Sequence, residues 1–313
     1  MRFLQRLWPA ARRRFRPVVP ERPVRAPAVF RATAFPDAGP LPWLDRPDAL
    51  DAVERKLNRG EISAREAELA RRWACDGAVV LERFFDDARL DATWDAYERA
   101  LEARTVTPDA EATDADPLPG RTLNAHFGVR EIGALLHDAA VVELVSFLLG
   151  AEALPFQTIM GHKGSEQHPH SDAIHMTTYP LGYLAAAWIA FEDISADGGP
   201  LVYYPGSHRL PYVFSDDVGI SAEDFQRLGY GPYAERYEPR IAELIASEHL
   251  EPVYFTPRKG DVLLWHANLL HGGSLRARPG SSRRALVCHY FARGCVTYHD
   301  LSAGPSHIYA SQR

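Results

Sequence analysis

Cysteine is scarce in this chain: Cys75, Cys288 and Cys295 are the only three among 313 residues. They are too few and too scattered for a disulfide framework or a cysteine zinc site, and a reducing cytoplasm is the expected compartment. No apolar run approaches the roughly 20 residues needed to cross a bilayer, because Arg, Glu, Pro or Gly interrupts every candidate. The N-terminus, MRFLQRLWPAARRRFR, has no long apolar core or small-residue cleavage site like that of a secretory leader. Its basic residues and interleaved Phe3, Leu4, Leu7 and Trp8 leave two readings open: contact with an anionic membrane surface or organelle targeting, and a solvated tail. Positive charge is also missing from the body. Residues 1–31 carry nine arginines against Glu21, a local +8 in a chain of net charge −6, so the remainder lies near −14. Such a body is not expected to bind nucleic acid.

What is present is a large apolar fraction, 46%, enough for a sizeable core. Prolines at 17, 20, 23, 27, 36, 40, 42 and 47 predict an extended arm over residues 1–47, poorly ordered and without its own core. From 48 to 75, Leu50, Val53, Leu57, Leu69 and Trp73 recur at helical spacing around a break at Asn58-Arg59-Gly60. The stretch 76–85, DGAVVLERFF, reads as a turn and a short buried strand, 86–103 as an amphipathic helix, and 104–120 as an exposed loop. A helix over 137–149 ends at Gly150.

After Gly150 the texture changes to short β-rich runs at 154–160, 174–179, 184–191, 201–204, 253–256, 262–266 and 285–291, separated by Gly, Pro and Asp. That succession predicts a mainly β (α+β) fold, an antiparallel barrel or jelly roll flanked by N-terminal helices. The expected organisation is one domain over 48–313: a helical flank at 48–150, a jelly roll at 151–292 and a C-terminal tail at 293–313. Residues 211–250 interrupt the strands, with helical spacing at Ile241, Leu244 and Ile245; a substrate lid and a structural excursion both fit.

The chemistry-bearing stretch is Gln167–Arg209, which contains His170 and Asp172. On a strand, residues two apart project from one face, so both side chains can grip one ion. His271, in LLWHANLLHGG, is the candidate third ligand. Two imidazoles and a carboxylate make the facial triad of non-haem iron(II) oxygenases, which leaves positions for a 2-oxo acid and O2. Strand parity does not choose between His266 and His271; context does, since the two glycines after His271 are expected to leave space for a co-substrate beside the metal, whereas His266 reads as packed.

Larger motifs add to this. HSD at 170–172, AAAWIAFEDI around Trp188, DGGPLVYYPGSH at 197–208, KGDVLLWH at 259–266, LLHGGS at 269–274 and RRALVCHYF at 283–291 resemble, in order and spacing, the phytanoyl-CoA dioxygenase family. DGAVVLERFF resembles that family's entry segment. The resemblance implies a double-stranded β-helix (jelly roll, cupin-like), Fe(II), 2-oxoglutarate and O2 as cofactor and co-substrates, and oxidation of an unactivated C–H bond with release of succinate and CO2. It places His170, Asp172 and His271 at the metal positions and Arg283 on the distal carboxylate of 2-oxoglutarate, with Arg284 as the alternative of opposite parity. Trp188 falls beside the co-substrate or in the core, and Gln157 is a candidate hydrogen-bond donor to it.

Two positions depart from the family pattern: His175 where Tyr is frequent, and Gly273 where Ser is frequent. Asp172, which related halogenases replace by a small residue, favours hydroxylation. The expected partner is a small-molecule substrate of unknown identity. Asn124, His126, Tyr230, Tyr233 and Tyr237 are candidates for the mouth of the site or for packing. The portion after Gly150 shows no basic pocket for the phosphates of a CoA. The rival readings are a non-catalytic or sensory jelly-roll binding protein and a zinc or manganese cupin-like hydrolase or isomerase.

Overall fold

The structure, a computed structural model, describes residues 15–18, 29–35, 37–277 and 280–306. Its first half is helical: α1 (Ala49–Asn58), α2 (Ala64–Asp76), β1 (Ala78–Leu81), α3 (Asp87–Glu102), β2 (Thr122–Leu123), α4 (Arg130–Leu136) and α5 (Ala139–Leu149). Then follow β3 (Ala153–Gly161), β4 (Thr177–Tyr179), β5 (Leu184–Ala190), β6 (Leu201–Tyr203), α6 (Ala222–Leu228) and α7 (Glu238–Ser247). The chain closes with β7 (Val253–Phe255), β8 (Val262–His266), β9 (His271–Gly273), β10 (Ala285–Ala292), β11 (Val296–His299) and β12 (Gly304–Pro305).

Local chemistry sets the helix boundaries. Ser63 and Glu66 form a capping box at the start of α2, and Asp86 caps α3 through the Arg89 N–H at 2.9 Å. Gly77 and Gly150 end α2 and α5 with φ of 71° and 70°, the left-handed region that glycine enters without steric cost. Contrary to expectation, the 20-residue stretch Arg130–Leu149 is long and apolar enough for a membrane span by length and composition, but more than half of its apolar window is buried inside the fold. Asp138 divides it, accepting from Ala140 N–H and Val141 N–H and starting α5 afresh. Helix α4, which begins at Val129 without a side-chain cap, gave no boundary signal in the sequence.

Among the described residues the principal sheet is antiparallel with strand order β1-β8-β5-β10-β3-β2, accompanied by two smaller sheets, β7-β6-β9 and β12-β11-β4. Alternation gives the principal sheet two buried faces. Ala185, Ala187, Ile189, Val262, Leu264, Leu286 and Cys288 pack outward in the helix-lined core around Trp73 and Leu148. Ala186, Trp188, Ala190, Leu263, Trp265 and Ala285 pack inward with Leu201 and Phe255. Burial on both sides is why LAAAWIA reads as a continuous apolar run.

Two expectations change. The later, described part of the proline-rich arm is ordered against the body: Phe35 stacks on Tyr179 with centroids 4.4 Å apart, Trp43 Nε1 donates to Phe147 O at 2.8 Å, and Leu44 is buried. Its scattered aromatic side chains gain more by packing on the body than by remaining in water. Residues 1–14, on which the membrane-surface reading falls, lie outside the described residues. The segment after 292 is not a simple tail, because β11 pairs with β4 in the register Val296↔Tyr179 and extends the sheet structure beyond 292.

Candidate metal and co-substrate site

His170 and His271 meet across an isolated antiparallel bridge. Each backbone N–H donates to the other's carbonyl at 2.9 Å, which locks two residues a hundred positions apart in sequence into one register. Asp172 does not continue a strand as alternation predicted. Ser171 N–H donates to the Tyr237 hydroxyl at 3.2 Å, and the chain turns into a 3-10 helix, Asp172–Ile174. The turn still delivers the carboxylate: the ligand atoms of His170, Asp172 and His271 all lie within 4.8 Å of one another, and all three residues are buried.

The surroundings orient each group. The Nδ1 atoms of His170 and His271 sit 2.9 Å and 3.0 Å from the carbonyls of His168 and Leu269. Those acceptors hold the proton on Nδ1 and leave both Nε2 lone pairs facing Asp172 Oδ1, at 3.9 Å and 3.6 Å. The second carboxylate oxygen accepts from Trp265 Nε1 at 2.7 Å and lies 3.7 Å from His289 Nε2. Burial, followed by His271, depresses His170 to about 4, so its imidazole is neutral. Burial alone pushes Asp172 up, but His271 and His289 outweigh it and hold the carboxyl well below its usual range. Neutral imidazole and ionised carboxylate are the forms that ligate a divalent metal, and the 2-His-1-carboxylate set fits Fe(II).

Arg283 enters from the end of β10 and is buried. Its N–H donates to His162 O at 2.8 Å and its Nη1 to Gly199 O at 3.0 Å, while its Nε is buried with no hydrogen-bond partner among the described residues. The guanidinium stands 5.9 Å from the Trp188 ring. Burial lowers Arg283 to about 10, still charged at neutral pH. A buried cation with an orphan donor is suited to an anionic ligand. Arg284 has opposite parity: it stacks 4.7 Å over Trp94, its backbone N–H donates to Glu192, and its guanidinium lies 3.7 Å from that carboxylate. The parity question is thereby resolved in space, with Arg283 inside and Arg284 outside.

Gln157, on β3, pairs with His289 in register and shares the inner face. His266 faces the other way, 3.0 Å from Asp45 and 5.8 Å from the Trp73 ring, as packed as its context predicted. The expectation for the two glycines is corrected. A Cβ on Gly272 would stand 2.7 Å from Gln167 O, and one on Gly273 would stand 2.7 Å from Ser165 Oγ and 2.8 Å from Glu166 N. The side-chain space is taken by the backbone of 165–167, so these glycines serve close strand approach rather than co-substrate room.

Among the mouth candidates, His126 contacts the Thr158 hydroxyl at 2.8 Å, and Asn124 N–H donates to Thr158 O at 2.7 Å. Thr158 pairs with outward-facing Cys288, which places both in packing. Tyr230 and Tyr233 do approach the site, 5.8 Å and 5.2 Å from the His175 ring, which is itself 5.9 Å from His170. Trp265 and His289 lie within the motifs KGDVLLWH and RRALVCHYF, but neither was expected beside Asp172. The available signal was parity: His289 is an even number of residues from Arg283 along β10.

The sequence pattern of the family described as phytanoyl-CoA dioxygenase (PhyH) matches residues 73–285, more than half of the chain. The ectoine dioxygenase of Sphingopyxis alaskensis is 27% identical over 247 residues, 74% of this chain and 77% of that protein. The peroxisomal phytanoyl-CoA dioxygenase of Rattus norvegicus is 25% identical over 166 residues, and that match spans 50% of this chain but only 44% of the rat protein. In structure, the 2-oxoglutarate-dependent carbocyclase SnoK from nogalamycin biosynthesis aligns with a TM-score of 0.59 at 19% identity, over 78% of this chain and 90% of its own. EctD from S. alaskensis with 2-oxoglutarate and 5-hydroxyectoine aligns with a TM-score of 0.55 at 23% identity, over 74% and 76%. The jelly-roll fold, the buried 2-His-1-carboxylate cluster and the family match lead to one assignment: the chain belongs to the phytanoyl-CoA dioxygenase family of iron(II)- and 2-oxoglutarate-dependent enzymes.

Proposed function

We propose that this chain, as an iron(II)- and 2-oxoglutarate-dependent dioxygenase, hydroxylates a compact, polar small molecule. The observation that carries the proposal is the pairing of the buried His170, Asp172 and His271 cluster with a buried, partly unpaired Arg283. In this reading His170, Asp172 and His271 hold the iron, and Arg283 binds the distal carboxylate of 2-oxoglutarate. Iron bound there would supply the O2-dependent oxidation of 2-oxoglutarate to succinate and CO2, coupled to insertion of oxygen into a C–H bond.

The protein's own contribution is to hold and enclose. Trp265 anchors one oxygen of Asp172, which leaves the other to face both imidazoles. Trp188 closes the space beside Arg283, and Gln157 presents its amide from the same inner face. His175 packs against His170 and is itself flanked by Tyr233, Tyr230 and His299, an aromatic cluster on one side of the site with Tyr230 at its exposed edge. Both ring nitrogens of His175 are buried without hydrogen-bond partners among the described residues. Such orphans favour a substrate with hydrogen-bonding groups of its own over an acyl chain. Retained Asp172 supports hydroxylation, and the match to 77% of an ectoine dioxygenase against 44% of the rat phytanoyl-CoA dioxygenase supports a compact substrate over an acyl-CoA.

The test is succinate formation from 2-oxoglutarate under air with Fe(II), compared between the wild type and His170→Ala. The variant is expected to lose the reaction with and without added substrate. Undiminished succinate formation by His170→Ala refutes the ligand assignment, and an Fe(II)-loaded wild type that consumes no O2 and forms no succinate from 2-oxoglutarate refutes the oxygenase.

A further inference from the structure

A group of four charges lies behind Arg283 and takes no part in holding metal. Asp116, in the loop over 104–120, accepts from Arg276 Nη1 and Nη2 at 3.2 Å and 2.7 Å and from Lys163 Nζ at 2.8 Å. Lys163 also donates to Leu118 O at 2.7 Å. Arg276 reaches in the other direction, donating from its backbone N–H and its Nε to Glu166 Oε1 at 2.9 Å and 3.2 Å. Lys163 and Glu166 bracket Gly164 and Ser165, so the knot grips both ends of this short segment. Glu166 has a φ of 50°, a conformation that a non-glycine residue keeps only when its surroundings enforce it.

The gripped segment and its neighbour form the walls around Arg283. A Cβ at Gly164 would stand 3.6 Å from both Cζ and Nε of Arg283 and 3.1 Å from Gly199 O. Gly199 O accepts from Arg283 Nη1, and Gly199 is backed by Arg276, whose Cγ would be 2.9 Å from a Cβ there. Arg276 thus supports the backbone on both sides of the guanidinium. The knot also balances its charges, two cations against two carboxylates. Hydrogen bonds from Arg276 and then Lys163 hold Asp116 well below the usual carboxylate range, so it stays ionised. Glu166 follows two residues after Gly164, the position that stands against the Arg283 guanidinium, and its charge favours the protonated form of Arg283. If released from Arg276, its carboxylate has a buried, partly unpaired guanidinium to pair with.

We propose that Arg276 and Asp116 are positioning residues for the co-substrate: they press 163–166 against Arg283 and keep Glu166 engaged, which leaves Arg283 free for the distal carboxylate of 2-oxoglutarate. The proposal rests on the reading of Arg283 as the 2-oxoglutarate anchor. It makes Glu166 a latent internal competitor and Arg276 the residue that restrains it.

The experiment is anaerobic titration of the Fe(II)-loaded full chain with 2-oxoglutarate, followed by visible absorption, and in parallel with 2-oxobutyrate, which lacks the distal carboxylate. Arg276→Gln is expected to weaken 2-oxoglutarate on the order of tenfold, about 1.4 kcal/mol, while 2-oxobutyrate binding is unchanged. Adding Glu166→Gln to Arg276→Gln is expected to restore most of the loss. Asp116→Asn repeats the measurement should Arg276→Gln not fold, with thermal melts as the check on folding. Wild-type 2-oxoglutarate affinity in the single variant, an equal loss of both 2-oxo acids, or no recovery in the double variant overturns the proposal. A wild type that binds Fe(II) but not 2-oxoglutarate overturns the underlying co-substrate reading itself, a separately visible result.

Discussion

Trp265→Phe asks how much of the metal affinity comes from residues that never touch the metal. In the folded chain Trp265 Nε1 donates to Asp172 Oδ2 at 2.7 Å in a buried setting. That bond points Oδ1 at His271 Nε2 and His170 Nε2, 3.6 Å and 3.9 Å away. A hydrogen bond to a charged group contributes about 1.5–3 kcal/mol. Loss of a partner that orients a metal ligand typically lowers metal affinity by about 10- to 100-fold. The two ranges overlap, since tenfold is about 1.4 kcal/mol. His289 Nε2, 3.7 Å from the same oxygen, is placed to close in and limit the damage, so the lower half of the range is expected. Phe retains an aromatic ring at the site, which confines the change largely to the lost donor. Trp73→Phe is the matched control: this tryptophan is fully buried on the outer side of the sheet, and its Nε1 has no partner among the described residues. Anaerobic Fe(II) titration of the three proteins reads the effect directly. Unchanged Fe(II) affinity in folded Trp265→Phe, or an equal loss in Trp73→Phe, refutes the reasoning.

Two further outcomes follow from the same geometry. Arg283→Met removes a buried, charge-assisted partner and is expected to weaken 2-oxoglutarate by about 10- to 150-fold, equivalent to 1.5–3 kcal/mol; Arg284→Met, at an outward position, is expected to bind as wild type, and the reverse order in a 2-oxoglutarate titration refutes the parity assignment. Burial, then His266 and Arg209, depresses His208 to about 3. The unfolded chain therefore takes up a proton near pH 6.5 that the folded chain refuses, so stability is lost as pH falls from about 6.5 toward 3 and this contribution is flat above. Thermal melts at pH 7 and pH 5 should show a shallower pH dependence for His208→Gln, and identical dependences would exclude His208 as a contributor.

The amino-acid sequence by itself determined the class of fold and the residue types of the site. Its helical spacings, its Gly150 stop and its succession of short apolar runs place α2, α3, α5 and most strands where they occur. These signals are local, each set by a turn's worth of neighbours, and so they survive without knowledge of the fold. The motifs around His170, Asp172, His271 and Arg283 are also contiguous in sequence, which made the family legible.

Only the tertiary structure decided how those pieces face one another. Arg283 and Arg284 are adjacent and chemically identical; the register of β10 against β5 and β3 is what sends one inward and one to Glu192. Asp172 reaches the imidazoles through a turn rather than a strand, because Tyr237 from the insertion over 211–250 holds Ser171 where the ladder ends. Gly272 and Gly273 looked like space and proved to be contact, filled by 165–167. Trp265, His289 and the Arg276–Asp116 knot act across gaps of about a hundred residues or more. Their partners are chosen by strand pairing and packing, long-range interactions that no local window of sequence contains.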